Sequence, residues 1–129
     1  MFDLEKTGPV PSDLGARQIF TGVRVPLMRL FEEASSLGQS LQGRRFIDCV
    51  IHGPCVVVPG ADTRFEDCSL GDAHGDVGNL FLRAVGPMIT GAIPLNGCVF
   101  EGCLFIGVGY AGDDRFIEAF TSPLRVAKA

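Results

Sequence analysis

The chain has 129 residues, with 11 lysines and arginines against 15 aspartates and glutamates, giving a formal net charge of −4. This acidic balance argues against a nucleic-acid backbone or an anionic membrane as the main partner. Hydrophobic residues make up 47 % and charged residues 20 %, which is typical of one folded domain with its own core.

No basic start followed by an apolar run opens the sequence, so we expect no secretory signal. No segment has the ~18 consecutive apolar residues that cross a bilayer. The five cysteines are an odd number, form no Cys-x-x-Cys pair and mostly sit in apolar runs. We therefore expect reduced, buried thiols in a cytoplasmic protein without a cofactor.

The elements are predicted in four segments. Residues 1–23 form an extended lead-in. Residues 24–39 form an amphipathic helix, because apolar residues recur there at spacings of three and four, namely Leu27, Leu30, Phe31, Ala34 and Leu37. Residues 40–120 contain short β-like runs punctuated by glycine, and residues 121–129 form a tail.

A repeat runs through the β-like segment. The stretch RFIDCVIHG at 45–53 returns as RFEDCSLGD at 64–72. A phenylalanine followed three residues later by a small residue occurs five times, at Phe46, Phe65, Phe81, Phe100 and Phe116. The spacings alternate between 19 and 16, so alternate members are 35 residues apart. This regularity predicts stacked structural repeats.

A shorter period of five residues lies inside the repeat. It links two apolar series, which are Leu41, Phe46, Ile51 and Val56, and Leu95, Phe100, Phe105 and Tyr110. Cysteine stands two residues before four apolar positions, in Cys49-Val-Ile, Cys68-Ser-Leu, Cys98-Val-Phe and Cys103-Leu-Phe.

This pattern resembles the pentapeptide-repeat family, in which a small residue and a Leu or Phe two positions later point into a square coil. The sequence departs from the family at the residue between them, where the usual Asp or Asn is replaced by Val50, Ser69, Val99 and Leu104. The resemblance implies a β-solenoid in general.

We predict an all-β fold: a short parallel β-helix (solenoid) of about four to five rungs, with an N-terminal capping α-helix. Phenylalanines and small residues would form ladders inside the coil. Exposed strand edges at the coil ends would favour a homo-oligomer or a protein partner. A small double-layered β fold with an accidental repeat is the alternative.

The Phe-x-Asp-Cys motif could be an acid–thiol site. An adjacent carboxylate raises the pKa of a thiol, which is the wrong direction for a nucleophile. On a strand, Asp48 and Cys49 would also point to opposite faces. We therefore interpret the motif as a core cysteine beside a surface aspartate.

The stretch GDAHGD is the most site-like part of the sequence. Asp72, His74 and Asp76 alternate and would share one side of an extended chain, and such ligands suit a divalent metal. Asp113 and Asp114 could lie beside this loop if the 35-residue repeat is structural. Together these five residues are the candidate binding site, and whether they hold a metal is left open. A solvated glycine-rich turn is the simpler interpretation.

Two classes of function remain. The first is a non-enzymatic binding or scaffolding module that presents a rigid β face to a protein partner or to a second copy. The second is a carbohydrate-binding or carbohydrate-active protein, possibly metal-assisted, with a groove around His74 and Asp113. Binding of nucleic acid or membrane is not expected.

Overall fold

The computed structural model describes residues 10–60, 62–71, 77–83, 85 and 91–119. Its strands are β1 (Ile19–Thr21), β2 (Arg24–Pro26), β3 (Arg45–Ile47), β4 (Val50–Pro59), β5 (Arg64–Glu66), β6 (Phe81–Arg83), β7 (Ile93–Leu95), β8 (Val99–Glu101) and β9 (Leu104–Gly112). The helices are α1 (Leu27–Ser36), a 3₁₀ turn (Val77–Leu80) and α2 (114–119). The start of the predicted lead-in, 1–9, and the predicted tail, 121–129, lie outside the described residues.

The described strands pair in parallel and form two sheets. The four-stranded sheet has the order β1-β3-β8-β5, and the second sheet has the order β2-β4-β9-β6, with β7 also beside β4. Val57 of β4 pairs with Ile93 on one side and with Tyr110 on the other, so β4 is central.

Tight corners connect the two sheets, and they explain the repeated motif. The second residue after the phenylalanine has a positive φ in four places: Gly22 at 62°, Asp48 at 52°, Asp67 at 53° and Gly102 at 63°. Glycine and aspartate are among the residues that tolerate this left-handed conformation. The chain therefore turns at this residue, and Asp48 does not continue a strand as the sequence had predicted.

Four strand–corner–strand units result, at 19–26, 45–52, 64–70 and 99–106, and their phenylalanines stack face to face. Ring centroids lie 4.7 Å apart for Phe20 and Phe46, 4.6 Å for Phe46 and Phe100, and 5.0 Å for Phe65 and Phe100. Phe20, Phe46 and Phe100 are at most 1 % exposed, while Phe65 is half-buried. This stack forms the centre of the core.

The prediction of an all-β solenoid of four to five rungs with a capping helix is wrong. Helices make up 19 % and strands 45 % of the structure, an α/β-like arrangement of parallel sheets and helices, and no closed coil is found in the described part. The strand order contradicts a solenoid. Units of a coil stack in sequence order, yet Phe100 lies between Phe46 and Phe65.

The 35-residue repeat is also wrong as a structural period. Phe81 belongs to the second sheet, where it pairs with Tyr110, and Phe116 lies on α2. Neither joins the phenylalanine stack, whereas Phe20, which the repeat omitted, does. The two five-residue series align at Phe46 with Phe100 and at Ile51 with Phe105. The register then shifts after His52, so Val56 pairs with Gly109 and not with Tyr110.

Helix α1 packs on β2 and β4 beside the first unit. It buries Leu27, Leu30 and Ala34 of the predicted apolar stripe, and each buried leucine contributes about 2 kcal/mol, whereas Leu37 is 56 % exposed. The helix is shorter than the predicted 24–39, because Arg24–Pro26 form β2 and the helix ends at Ser36. Gly38 follows the helix end with a φ of 73°, which suits glycine. Leu14 of the lead-in is fully buried in the same core.

Candidate functional site

The candidate loop site is only partly described. Asp72, His74 and Asp76 lie outside the described residues, so the structure does not place them. Within the described ranges, no group of three or more histidine, cysteine, aspartate or glutamate side chains could hold a metal ion. The metal site and the carbohydrate groove around His74 and Asp113 remain predictions.

The other two candidate residues have structural roles. Asp113 precedes α2, and its Oδ1 accepts a hydrogen bond of 2.9 Å from the backbone N–H of Phe116, which is an N-terminal helix cap. Asp114 lies 2.6 Å from Nε of Arg83, and both side chains are more than 70 % exposed. Both carboxylates are therefore occupied by contacts within the chain.

A recurrent hydrogen bond ties each unit to its neighbour. The residue that follows a corner donates its side-chain hydrogen to a carbonyl on the adjacent strand. Thr63 Oγ1 donates to Leu95 O at 2.8 Å, and three thiols make the equivalent bond at 3.3–3.4 Å: Cys98 to Leu41, Cys103 to Phe46 and Cys68 to Phe100. The repeated cysteines therefore hold neighbouring units in register.

Three of the thiols form a column, which we call the thiol column: Cys49, Cys103 and Cys68, in that order. Cys103 is central because β8 lies between β3 and β5. Backbone bonds of 3.0 Å from Leu104 N to Cys49 O and from Ser69 N to Cys103 O fix the register. Cys49 and Cys103 are 1 % exposed, and Cys68 is half-buried.

Interactions within the column shift the pKa values of its thiols. Interaction with the Cys103 side chain lowers the pKa of Cys68 to about 7 and that of Cys49 to about 7. The pKa of Cys103 is correspondingly raised. Asp67 raises the pKa of Cys68, as the sequence predicts for a neighbouring carboxylate, but its effect is the weakest of those that act on this thiol. The dominant effect, which comes from Cys103, was not predicted from the sequence.

The remaining thiols are less acidic. Burial raises the pKa of Cys55 to about 11, and it also raises the pKa of Cys98. Burial likewise raises the pKa of Tyr110, whose hydroxyl donates to Leu70 O at 3.1 Å. These groups stay protonated at neutral pH. Cys68 is therefore the thiol that combines a lowered pKa with access to solvent.

Arg44 is a buried cation beside the core, only 1 % exposed. Its guanidinium donates to the carbonyls of Gly15 and Arg17 at 3.0 and 2.7 Å and to the side-chain oxygen of Gln39 at 3.1 Å. Burial lowers its pKa. Its partners are neutral carbonyl oxygens, and two of them belong to the lead-in. Arg44 therefore binds the lead-in to the core through hydrogen bonds.

The outer face of the four-stranded sheet carries two rows of side chains, set by the parallel register. The first row reads Ile19, Arg45, Val99 and Arg64 across the strands, and the second row reads Thr21, Ile47, Glu101 and Glu66. We call this surface the ladder face. Arg45 pairs with Glu101 at 2.8 Å, which raises the pKa of Arg45. The arginines thus lie in one row and the glutamates in the other.

A shallow groove separates the lead-in turn from the end of α1. It is open, has a volume of about 200 Å³, and is lined by residues that include Asp13 and Glu33. Asp13 pairs with Arg17, and Glu33 pairs with Arg29. Small-molecule sites usually enclose about 300–1,000 Å³, so this groove does not resemble one.

Comparison with known proteins gives no relative. No protein-family model matches the chain, and no curated protein or solved structure matches it significantly. None of the helices in the described part is long and apolar enough to cross a membrane. Function can therefore be inferred only from the chain's own residues.

Proposed function

We propose that the protein is a non-enzymatic binding module whose ladder face docks a second copy of the chain. The supporting observation is the separation of charge into two rows, with Arg45 and Arg64 in one and Glu101 and Glu66 in the other. A face that carries both signs in separate rows can be complementary to itself.

Symmetry selects one arrangement. A two-fold axis that runs across the strands, in the plane of the interface, places the arginine row of one copy over the glutamate row of the other. An axis along the strands would instead oppose arginine to arginine. With the axis across the strands, Arg64 of each copy lies over Glu66 of the other copy, so this ion pair forms twice.

The face also contains a repulsion that docking would relieve. Glu66 and Glu101 are direct neighbours on adjacent strands, and like charges in this relation are destabilising. Arg45 already pairs with Glu101, while Arg64 lies 3.9 Å from Glu66, at the limit of an ion pair. A second copy's arginine over Glu66 would add the missing positive charge.

The size of the face determines the expected strength. Four strands of three residues cover roughly 19 Å by 10 Å. Stable complexes bury about 800 Å² per partner, so this face alone supports weak, reversible association. The charges are exposed, and salt should therefore weaken the association further.

The test is sedimentation velocity over a wide range of protein concentrations, at low and high salt. Arg64→Glu should shift the protein to the monomer, because it places like charges over the glutamate row. Adding Glu66→Arg to this variant exchanges the two charges and should restore association. Arg29→Glu is the matched control, since Arg29 is similarly exposed but lies on α1.

A wild-type protein that stays monomeric at every concentration would overturn the proposal. The same holds if Arg64→Glu and Arg29→Glu sediment alike, or if the double exchange does not restore association. Circular dichroism of each variant shows that the fold is retained.

A further inference from the structure

The thiol column places three cysteines side by side, each at the corner after one of three neighbouring strands. The backbone bonds from Leu104 N to Cys49 O and from Ser69 N to Cys103 O put Cys103 beside Cys49 on one side and beside Cys68 on the other. Adjacent strands are about 4.8 Å apart, and disulfides join Cα atoms about 4.4–6.8 Å apart. The register of the column therefore suits a disulfide between neighbouring thiols.

Exposure distinguishes the two ends of the column. Cys49 and Cys103 are 1 % exposed, so a reagent in solution does not reach them directly. Cys68 is half-buried and lies on the unit that includes β5, the last strand of its sheet in the described part. Oxidation from solution would therefore begin at Cys68.

Acidity favours the same residue. Cys49 and Cys68 are the two neighbours of Cys103, and the pKa of each is lowered to about 7. The neighbour that is closer to water loses less solvation energy on ionising, which makes Cys68 the better thiolate. The thiolate is the nucleophilic form of cysteine.

We propose that Cys68 and Cys103 form a reactive thiol pair that a hydroperoxide oxidises to a disulfide joining the corners after β5 and β8. This modification site is independent of the ladder face. Cys68 is the attacking thiol and Cys103 is the resolving thiol.

The reaction balances in two steps. The Cys68 thiolate attacks one peroxide oxygen, a sulfur–oxygen bond forms, the oxygen–oxygen bond breaks, and the alkoxide or hydroxide that leaves takes up a proton. Cys68 is then a sulfenic acid. Cys103 sulfur attacks Cys68 sulfur, the disulfide forms, the sulfur–oxygen bond breaks, and the departing hydroxide takes the Cys103 proton to leave as water. Two thiols are oxidised and one hydroperoxide is reduced.

Peptide mapping identifies the linked residues. The purified chain is treated with hydrogen peroxide, free thiols are blocked under denaturing conditions, and the protein is digested with trypsin. Cys68 lies in peptide 65–83, Cys98 and Cys103 in 84–115, and Cys49 and Cys55 in 46–64. The expected product links 65–83 to 84–115, and further cleavage at Phe100 assigns the bond to Cys103.

Single variants separate the two roles. Cys68→Ser should abolish the linked peptides. Cys103→Ser should leave Cys68 as a sulfenic acid, which dimedone traps. Serine is chosen because its hydroxyl can replace the thiol as hydrogen-bond donor, as the Thr63 hydroxyl does in its bond to Leu95. Cys55→Ser is the control, since Cys55 is also half-buried but has a raised pKa, and it should behave as the wild type.

Alkylation gives a second measurement that does not require peroxide. At neutral pH, iodoacetamide should modify Cys68 at least roughly tenfold faster than Cys55 in the folded protein. The proposal is overturned if peroxide links 46–64 to 84–115 instead. It is also overturned if Cys68→Ser forms the disulfide as fast as the wild type, or if Cys55 is alkylated first.

Discussion

Thr63 and Cys98 make the same kind of hydrogen bond from the residues directly before β5 and β8. The Thr63 hydroxyl donates to the carbonyl of Leu95, and the Cys98 thiol donates to the carbonyl of Leu41, with donor–acceptor distances of 2.8 and 3.4 Å. Threonine and cysteine are thus interchangeable parts of one inter-strand contact. The contact explains why small polar residues recur after the corners.

Thr63→Val tests the value of this contact. Valine keeps the shape of the side chain but removes the hydroxyl donor, so the free energy of unfolding should fall by about 1 kcal/mol. Urea denaturation followed by circular dichroism measures the change. Thr21→Val on the exposed ladder face is the control and should change stability much less. Equal stability of the two variants would contradict the structural role of the bond.

The positive φ of Asp67 predicts a distinct pattern of tolerated residues. Asp67→Gly should be at least as stable as the wild type, because glycine adopts φ near 53° without strain. Asp67→Val should lose more than about 1 kcal/mol, since a β-branched residue is strained there. Thermal unfolding of both variants provides the comparison. Ser69→Val, two residues further on and exposed, is the control; a loss as large as in Asp67→Val would count against backbone strain.

The cap of α2 gives a third prediction. Asp113→Ala removes the acceptor for the Phe116 N–H and should cost about 1 kcal/mol, whereas Asp113→Asn should retain most of the stability. Asp114→Ala removes only an exposed ion pair and should cost less than about 1 kcal/mol. Chemical denaturation distinguishes the three. If alanine and asparagine at 113 behave alike, the carboxylate does not act as a cap.

Cys55 predicts a loss of stability at alkaline pH. In the unfolded chain its thiol ionises near the ordinary pKa of 9.0, and in the folded protein near 11. Between these values the unfolded state has released the proton and the folded state has not. The free energy of unfolding should therefore fall as pH rises through this window.

Comparison with Cys55→Ala isolates this effect. The stability difference between wild type and Cys55→Ala, measured in urea below pH 9 and again near pH 11, should decrease at the higher pH. Val58→Ala shortens a half-buried side chain on the same strand and cannot titrate, so its difference from wild type should stay constant. A constant difference for Cys55→Ala as well would show that Cys55 ionises normally.

Part of this fold could be predicted from the sequence. The stripe around Leu27 and Leu30 predicts α1, and the five-residue series predicts that Phe46 and Phe100 point into the core. Both follow from local periodicity. The order of the units could not be predicted, because every unit offers the same phenylalanine and small residue to its neighbour. Nothing local distinguishes Phe65 from Phe100 as the neighbour of Phe46.

One sequence signal could have corrected the repeat. The true units carry glycine or aspartate two residues after the phenylalanine, as at Gly22 and Asp48, because that residue must adopt a positive φ. Phe81 and Phe116 are followed at this position by Arg83 and Glu118, which do not favour that conformation. By the same criterion Phe20 begins a true unit, because Gly22 follows it two residues later. The ladder face and the thiol column depend on the strand order, so they could not be predicted from the sequence.

The central position of β8 and β9 has a consequence for folding. These strands follow β5 and β6 in the chain, yet they supply the middle of both sheets. Phe46 and Phe100 stack directly although they are 54 positions apart in the chain. Such non-local pairing slows folding, because long loops must close before the contacts form. The unit at 64–70 pairs with the later unit at 99–106, so it cannot take its place in the sheet before that unit does.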